Sequence, residues 1–129
     1  MRLDNKTILV TGASGQLGQK FCLSLASEGA QICAADIDDK GCDKLLNQLH
    51  NKNIHSSVSM DISSPDSVKD AFYYLSKNDI FPDVIINTKT GLNADLKPVI
   101  SYSPDFVSDI GERPSTGRLV VNVVDCVYS

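Results

Sequence analysis

Short apolar runs alternate with segments of three- and four-residue apolar spacing along most of this chain. Thr7-Ile-Leu-Val10 is β-branched and apolar without alternation, the pattern of a parallel strand covered on both faces, and it is predicted to be central. Over residues 14–27, Leu17, Phe21, Cys22 and Leu25 recur at helical steps, and Gly29 follows as a stop. Residues 30–35 read as a second buried strand ending in Asp36, and residues 39–49 as a helix with Leu45, Leu46 and Leu49 inward. Residues 54–60 alternate weakly as a third strand. Ser64-Pro65-Asp66 then opens a helix to about Lys77, with Ser64 as cap and Pro65 in the first turn. Val84-Ile-Ile-Asn87 is the fourth strand and residues 119–124 the fifth. Between them, residues 88–118 carry Pro98, Pro104 and Pro114 and are expected to be irregular, with one short helical candidate at 105–110.

This alternation predicts an α/β fold: a Rossmann-like doubly wound parallel sheet of about five strands with helices on both faces. Right-handed crossovers place the strands in the order 3-2-1-4-5, with a cleft at the carboxyl ends of strands 1 and 4. A length of 129 residues fits a single domain spanning 1–129. The charge of −4, with twelve scattered Lys and Arg, provides no basic stripe, and nucleic acid is not expected as a partner. No apolar run approaches the ~20 residues that cross a bilayer, and the lead before Thr7 is short and polar, so neither a membrane span nor a targeting segment is expected. The four cysteines, at 22, 33, 42 and 126, lack Cys-x-x-Cys spacing and do not cluster with His50 or His55. No metal site is expected. Cys22 and Cys33 read as small core residues in a reduced, cytoplasmic setting.

Chemistry concentrates at the first strand-to-helix turn, Thr11-Gly-Ala-Ser-Gly-Gln-Leu-Gly18. A dinucleotide pyrophosphate needs backbone N–H donors, a positive helix end and no obstructing side chain. Gly12 permits the tight turn, Gly15 lets the backbone approach phosphate, and Gly18 lets the helix pack on the strand. Asp36 lies 24 residues after Gly12, near the ~20-residue offset at which an acidic residue accepts the adenosine ribose hydroxyls. It would repel a 2′-phosphate, and positions 35–39 hold no Arg or Lys, so NAD is favoured over NADP.

Together Thr11-Gly-x-x-Gly-x-x-Gly18, Asp36, the Asp61-Ile62 pair after strand 3 and Asn87 at the end of strand 4 resemble the short-chain dehydrogenase/reductase family over residues 6–90. The resemblance implies an NAD-dependent oxidoreductase acting on a carbonyl or hydroxyl group of a small-molecule substrate. It implies that Asp61 hydrogen-bonds the adenine amino group, that Ile62 contacts the adenine ring and that Asn87 lies beside the ribose on the nicotinamide side. The cofactor-binding set is then Gly12, Ser14, Gly15, Gln16, Leu17, Gly18, Asp36, Ile37, Asp61, Ile62 and Asn87.

Departures from the family pattern begin at Thr88-Lys89-Thr90-Gly91, where the family continues Asn-Ala-Gly after strand 4. At the position of the family's catalytic serine stands Val124, Asp125 or Cys126, depending on alignment. The Tyr-x-x-x-Lys pair expected after strand 5 is not found there. Tyr73-Tyr-Leu-Ser-Lys77 has the spacing but lies between strands 3 and 4, and reads as a surface i,i+4 pair. No residue is nominated as catalytic. Lys89 is a cation near the cleft, His50 and His55 are expected to face solvent, and the apolar edge of strand 5 predicts self-association.

Two other readings stand beside the oxidoreductase. One is a non-catalytic nucleotide-binding or interaction module derived from the same family. The other is an S-adenosylmethionine-dependent methyltransferase, which shares a Gly-rich turn and an acidic strand-2 end but not the Thr-Gly-x-x-Gly-x-x-Gly spacing.

Overall fold

The computed structural model describes residues 2–90 and 119–125. In chain order these form β1 (Thr7–Thr11), α1 (Gln16–Ser27), β2 (Gln31–Asp36), α2 (Asp39–Gln48), a 3-10 turn at Lys52–Ile54, β3 (Ser56–Ser59), α3 (Pro65–Lys77), β4 (Val84–Thr90) and β5 (Leu119–Asp125). The strands make one five-stranded sheet in the order β3-β2-β1-β4-β5, parallel throughout. This is the doubly wound order that the sequence predicts.

Parallel strands bury both faces, and the side chains of β1, β2 and β4 show how. Ile8, Val10, Ile32, Ala34 and Ile86 join Cys22, Ala26, Cys42 and Leu45 of α1 and α2 in one core. Their sequence neighbours Leu9, Cys33, Ala35 and Ile85 join Val68, Ala71, Phe72 and Leu75 of α3 in the other. A strand with a helical layer on each side has no solvent face, so apolar residues run without alternation. Leu9 and Val10 are each fully buried yet belong to opposite layers.

The helices begin differently, and the difference bears on the site. At α3, Ser64 accepts the N–H of Ser67 with Pro65 in the first turn, and at α2, Asp38 accepts the N–H of Gly41 at 3.0 Å. Helix α1 is capped by Gly15 with no side-chain hydrogen bond, and its first turn holds no acidic residue.

Several expected boundaries shift for identifiable reasons. Helix α1 starts at Gln16 rather than at 14, because the Ser14 side chain is engaged elsewhere. β3 is shorter than 54–60, since 52–54 coil into the 3-10 turn. Residues 88–90, expected to be irregular, continue β4 and pair with Val123, Val124 and Asp125 of β5. The helical candidate at 105–110 and the rest of 91–118 lie outside the described residues, as does Cys126. His55 is half-buried rather than solvent-facing: its Nδ1 accepts the N–H of Ile32 at 2.9 Å, and its Nε2 lies 2.7 Å from the His50 carbonyl oxygen. The neutral imidazole tautomer with hydrogen on Nε2 serves both contacts. His50 is exposed.

Among the described residues no helix is long and apolar enough to cross a membrane, and no group of three or more His, Cys, Asp or Glu is placed to hold a metal.

Candidate functional site

The sheet order reverses direction between β1, which leads outward to β2, and β4 on its other side, and such a switch point opens a crevice at the carboxyl ends of those strands. The glycine turn follows β1 there. Gly12 has φ +64°, in the left-handed region that favours glycine. A Cβ at Gly12 would also strike the Thr88 hydroxyl, and one at Gly18 would strike the Gly12 carbonyl oxygen and lie 2.8 Å from Ala13 Cα. The two glycines thus bring β1, α1 and β4 to backbone contact. Gly15 is different: its φ of −73° and ψ of 169° suit any residue.

Side chains pin this turn from three directions. The Thr88 hydroxyl donates to the Thr11 carbonyl oxygen at 2.6 Å, and the Thr88 N–H donates to Thr11 Oγ1 at 3.2 Å. Thr11 Oγ1 in turn donates to Asn87 Oδ1 at 3.1 Å, inside the buried seam between β1 and β4. From α1, Gln19 Nε2 donates to the Ser14 carbonyl oxygen at 2.6 Å. From β2, Asp36 Oδ2 accepts both the N–H and the hydroxyl of Ser14, at 3.0 and 2.7 Å, while Asp36 Oδ1 accepts the Asp38 N–H at 3.1 Å.

The glycine turn, Asp36 and Asn87 are thereby gathered at one end of the sheet. Gln16 is exposed and Leu17 half-buried at the start of α1. Ile37, beside Asp36, exposes 71% of its surface, an unusual setting for a large apolar side chain at the rim of a crevice. Asp61 follows β3; it is exposed, and its Oδ1 accepts the N–H and hydroxyl of Ser63 at 3.0 and 2.6 Å. The Ser63 hydroxyl first, and its backbone N–H second, hold the Asp61 carboxyl below its ordinary range. Ile62 is partly buried against the α3 core. Tyr73 and Tyr74 are exposed on α3, and Lys77 Nζ lies over the Tyr73 ring, 4.7 Å from its centroid, so this pair is engaged with itself on a helix surface. Lys89 lies within β4, opposite Val124.

Three contacts were not foreseen from the sequence: the Thr88 bond to Thr11, the Gln19 bond to Ser14 and the Ser14 bond to Asp36. Only the first had a signal, since Thr88 stands where the family pattern has Asn.

The arrangement defines a class: a doubly wound α/β protein whose glycine turn opens on a helix end with no side-chain cap, the architecture of dinucleotide-binding proteins. A model of the short chain dehydrogenase family matches residues 6–107. D-threitol dehydrogenase of Mycolicibacterium smegmatis is 31% identical over 88 residues, covering 67% of this chain and 34% of that protein. The NADPH-dependent pterin aldehyde reductase of Arabidopsis thaliana is 26% identical over 101 residues, covering 78% of this chain and 42% of that protein. The crystal structure of a short-chain type dehydrogenase/reductase from Mycobacterium marinum superposes with a TM-score of 0.64 at 19% identity, covering 84% of this chain and 43% of that one. This chain belongs to the short-chain dehydrogenase/reductase family, a family of oxidoreductases that bind a nicotinamide dinucleotide, NAD or NADP. It spans between 34% and 42% of the length of these two curated relatives.

Proposed function

We propose that this chain binds NAD(H) at the glycine turn, in an oxidoreductase that acts on a carbonyl or hydroxyl group of a small molecule. The observation that carries the reading is Asp36, a carboxylate at the end of β2 tied to the glycine turn through Ser14. An anionic group at this position favours ribose hydroxyls and opposes a 2′-phosphate. The pterin aldehyde reductase is NADPH-dependent, so the NAD(H) reading rests on this chain's own residues and not on that relative.

The turn fits a dinucleotide. The first N–H groups of α1 meet no side-chain cap and no acidic side chain, which leaves a positive helix end for a pyrophosphate. Backbone conformation does not require glycine at position 15, so open space beside the helix end is the remaining physical reason for one. When bound, the nicotinamide supplies or accepts hydride. In this reading Gly12, Gly15, Gly18, Ser14, Gln16 and Leu17 hold the pyrophosphate region, Asp36 and Ile37 the adenosine ribose, Asp61 and Ile62 the adenine, and Asn87 the second ribose. Among the described residues the buried thiols Cys22, Cys33 and Cys42 are free, which fits a reducing, cytoplasmic setting.

The non-catalytic module is a second reading, favoured by one observation: β5 runs Leu119 to Asp125 without a serine or threonine. A fluorescence titration with NADH followed by a panel of carbonyl substrates separates the two. Saturable binding with NADH oxidation supports the oxidoreductase. Binding without turnover supports the module, and no binding at millimolar NADH contradicts both.

A further inference from the structure

We propose that Ser14 and Gly41 are positioning residues that hold the Asp36 carboxylate with a single acceptor position open, on Oδ1, and thereby set the preference for NADH over NADPH. The inference rests on the NAD(H) reading above and adds to it two residues that act through Asp36. A carboxylate offers about four lone-pair positions, two on each oxygen. Ser14 fills both on Oδ2, by its N–H at 3.0 Å and its hydroxyl at 2.7 Å, and the Asp38 N–H takes one on Oδ1 at 3.1 Å. The open acceptor therefore lies on Oδ1.

Gly41 is what lets this junction close. A Cβ there would lie 2.8 Å from Ser14 Cβ, 2.5 Å from Asp38 Oδ2 and 2.9 Å from Asp38 Cγ. The first turn of α2 can approach Ser14 this closely only without a side chain at 41. Asp38 belongs to the same junction twice, since its carboxylate caps α2 through the Gly41 N–H and its own N–H reaches Asp36. Gln19 holds Ser14 from the opposite side through its carbonyl oxygen. Asp36 is thus gripped by donors from the glycine turn and from the start of α2, all of them bonds to a charged acceptor.

Two consequences follow for recognition. An acceptor fixed before binding spends little orientational freedom when a ribose hydroxyl arrives. The Ser14 hydroxyl, a donor that a 2′-phosphate would otherwise find in this turn, is already committed to Asp36, so the phosphate meets a carboxylate and gains no donor in return.

NADH and NADPH titrations of the wild type, Ser14→Ala and Gly41→Ala test this, with each variant's thermal midpoint recorded without ligand. Ser14→Ala is expected to weaken NADH by about three- to tenfold more than it weakens NADPH, so that the preference falls. Gly41→Ala is expected to lower the preference in the same direction although Ser14 is retained. A general loosening of the fold would weaken both cofactors alike. A wild type that prefers NADH and a folded Ser14→Ala that keeps the full preference would overturn this inference alone. A wild type that prefers NADPH overturns the NAD(H) reading, and this inference with it.

Discussion

Cys22 and Cys33 show what the two-layer core does to a single ionisable group. Each thiol is buried, and burial pushes both from the ordinary 9.0 up to about 12. Near neutral pH they are therefore protonated, and a protonated thiol is a poor nucleophile. The native protein is expected to leave both unmodified by a thiol reagent at pH 8 and to expose them only on unfolding, while prompt labelling of the folded chain contradicts this. Stability carries the matching sign. Above pH 9 the unfolded state releases protons that the folded state keeps, so stability falls as pH rises from about 9 toward 12, by at most ~1.4 kcal/mol per pH unit for each thiol. Urea unfolding at pH 8 and pH 10 measures it. At this scale the sequence was informative about burial and uninformative about partners. Cysteines in apolar strands and helix faces read as core, whereas the half-buried His55 accepts a backbone N–H from Ile32, and no spacing announces a contact between residues 23 positions apart.

Helix starts decide much of the element-scale behaviour. Ser64, Pro65 and Asp66 announce α3 in the sequence, and the structure begins the helix at Pro65 with the Ser64 side chain on the Ser67 N–H. Ser64→Ala is expected to cost about 1 kcal/mol, read as a lower urea midpoint with an unchanged slope, and an unchanged midpoint would deny the cap its role. Apolar spacing, which starts α1 at residue 14, places its beginning two residues early. Ser14 has the composition of a cap, but its hydroxyl is drawn to Asp36 across 22 residues, so Gly15 takes the cap position and the helix end keeps its N–H groups for another partner. Propensity describes what a residue offers locally, and a tertiary carboxylate offered Ser14 a stronger bond than its own helix. β3 is misjudged for a related reason: Ser56, Ser57 and Ser59 give an edge strand little apolar signature, and its pairing with β2 defines it.

The strand order β3-β2-β1-β4-β5 was legible at the scale of the whole molecule because strands without alternation must be covered on both faces and crossovers are right-handed. The glycine turn was legible because its spacing answers a backbone requirement at Gly12 and Gly18. The clamp on that turn by Thr88 and Asp36 was not, because it exists only once β1, β2 and β4 stand side by side. Among the described strands β5 pairs on one side only, with β4, and an unpaired parallel edge is a template for association. The 129-residue chain is expected to elute from size exclusion as a concentration-dependent oligomer, and a clean monomer across a hundredfold dilution would contradict this. The central claim, that the glycine turn and Asp36 form a dinucleotide site, is tested most directly by backbone amide NMR of the labelled chain during NADH addition. The account predicts shifts concentrated at residues 12–18 and 36–38, with smaller ones at 61–62 and 87; no shifts at millimolar NADH, or shifts confined to other parts of the sheet, would contradict it.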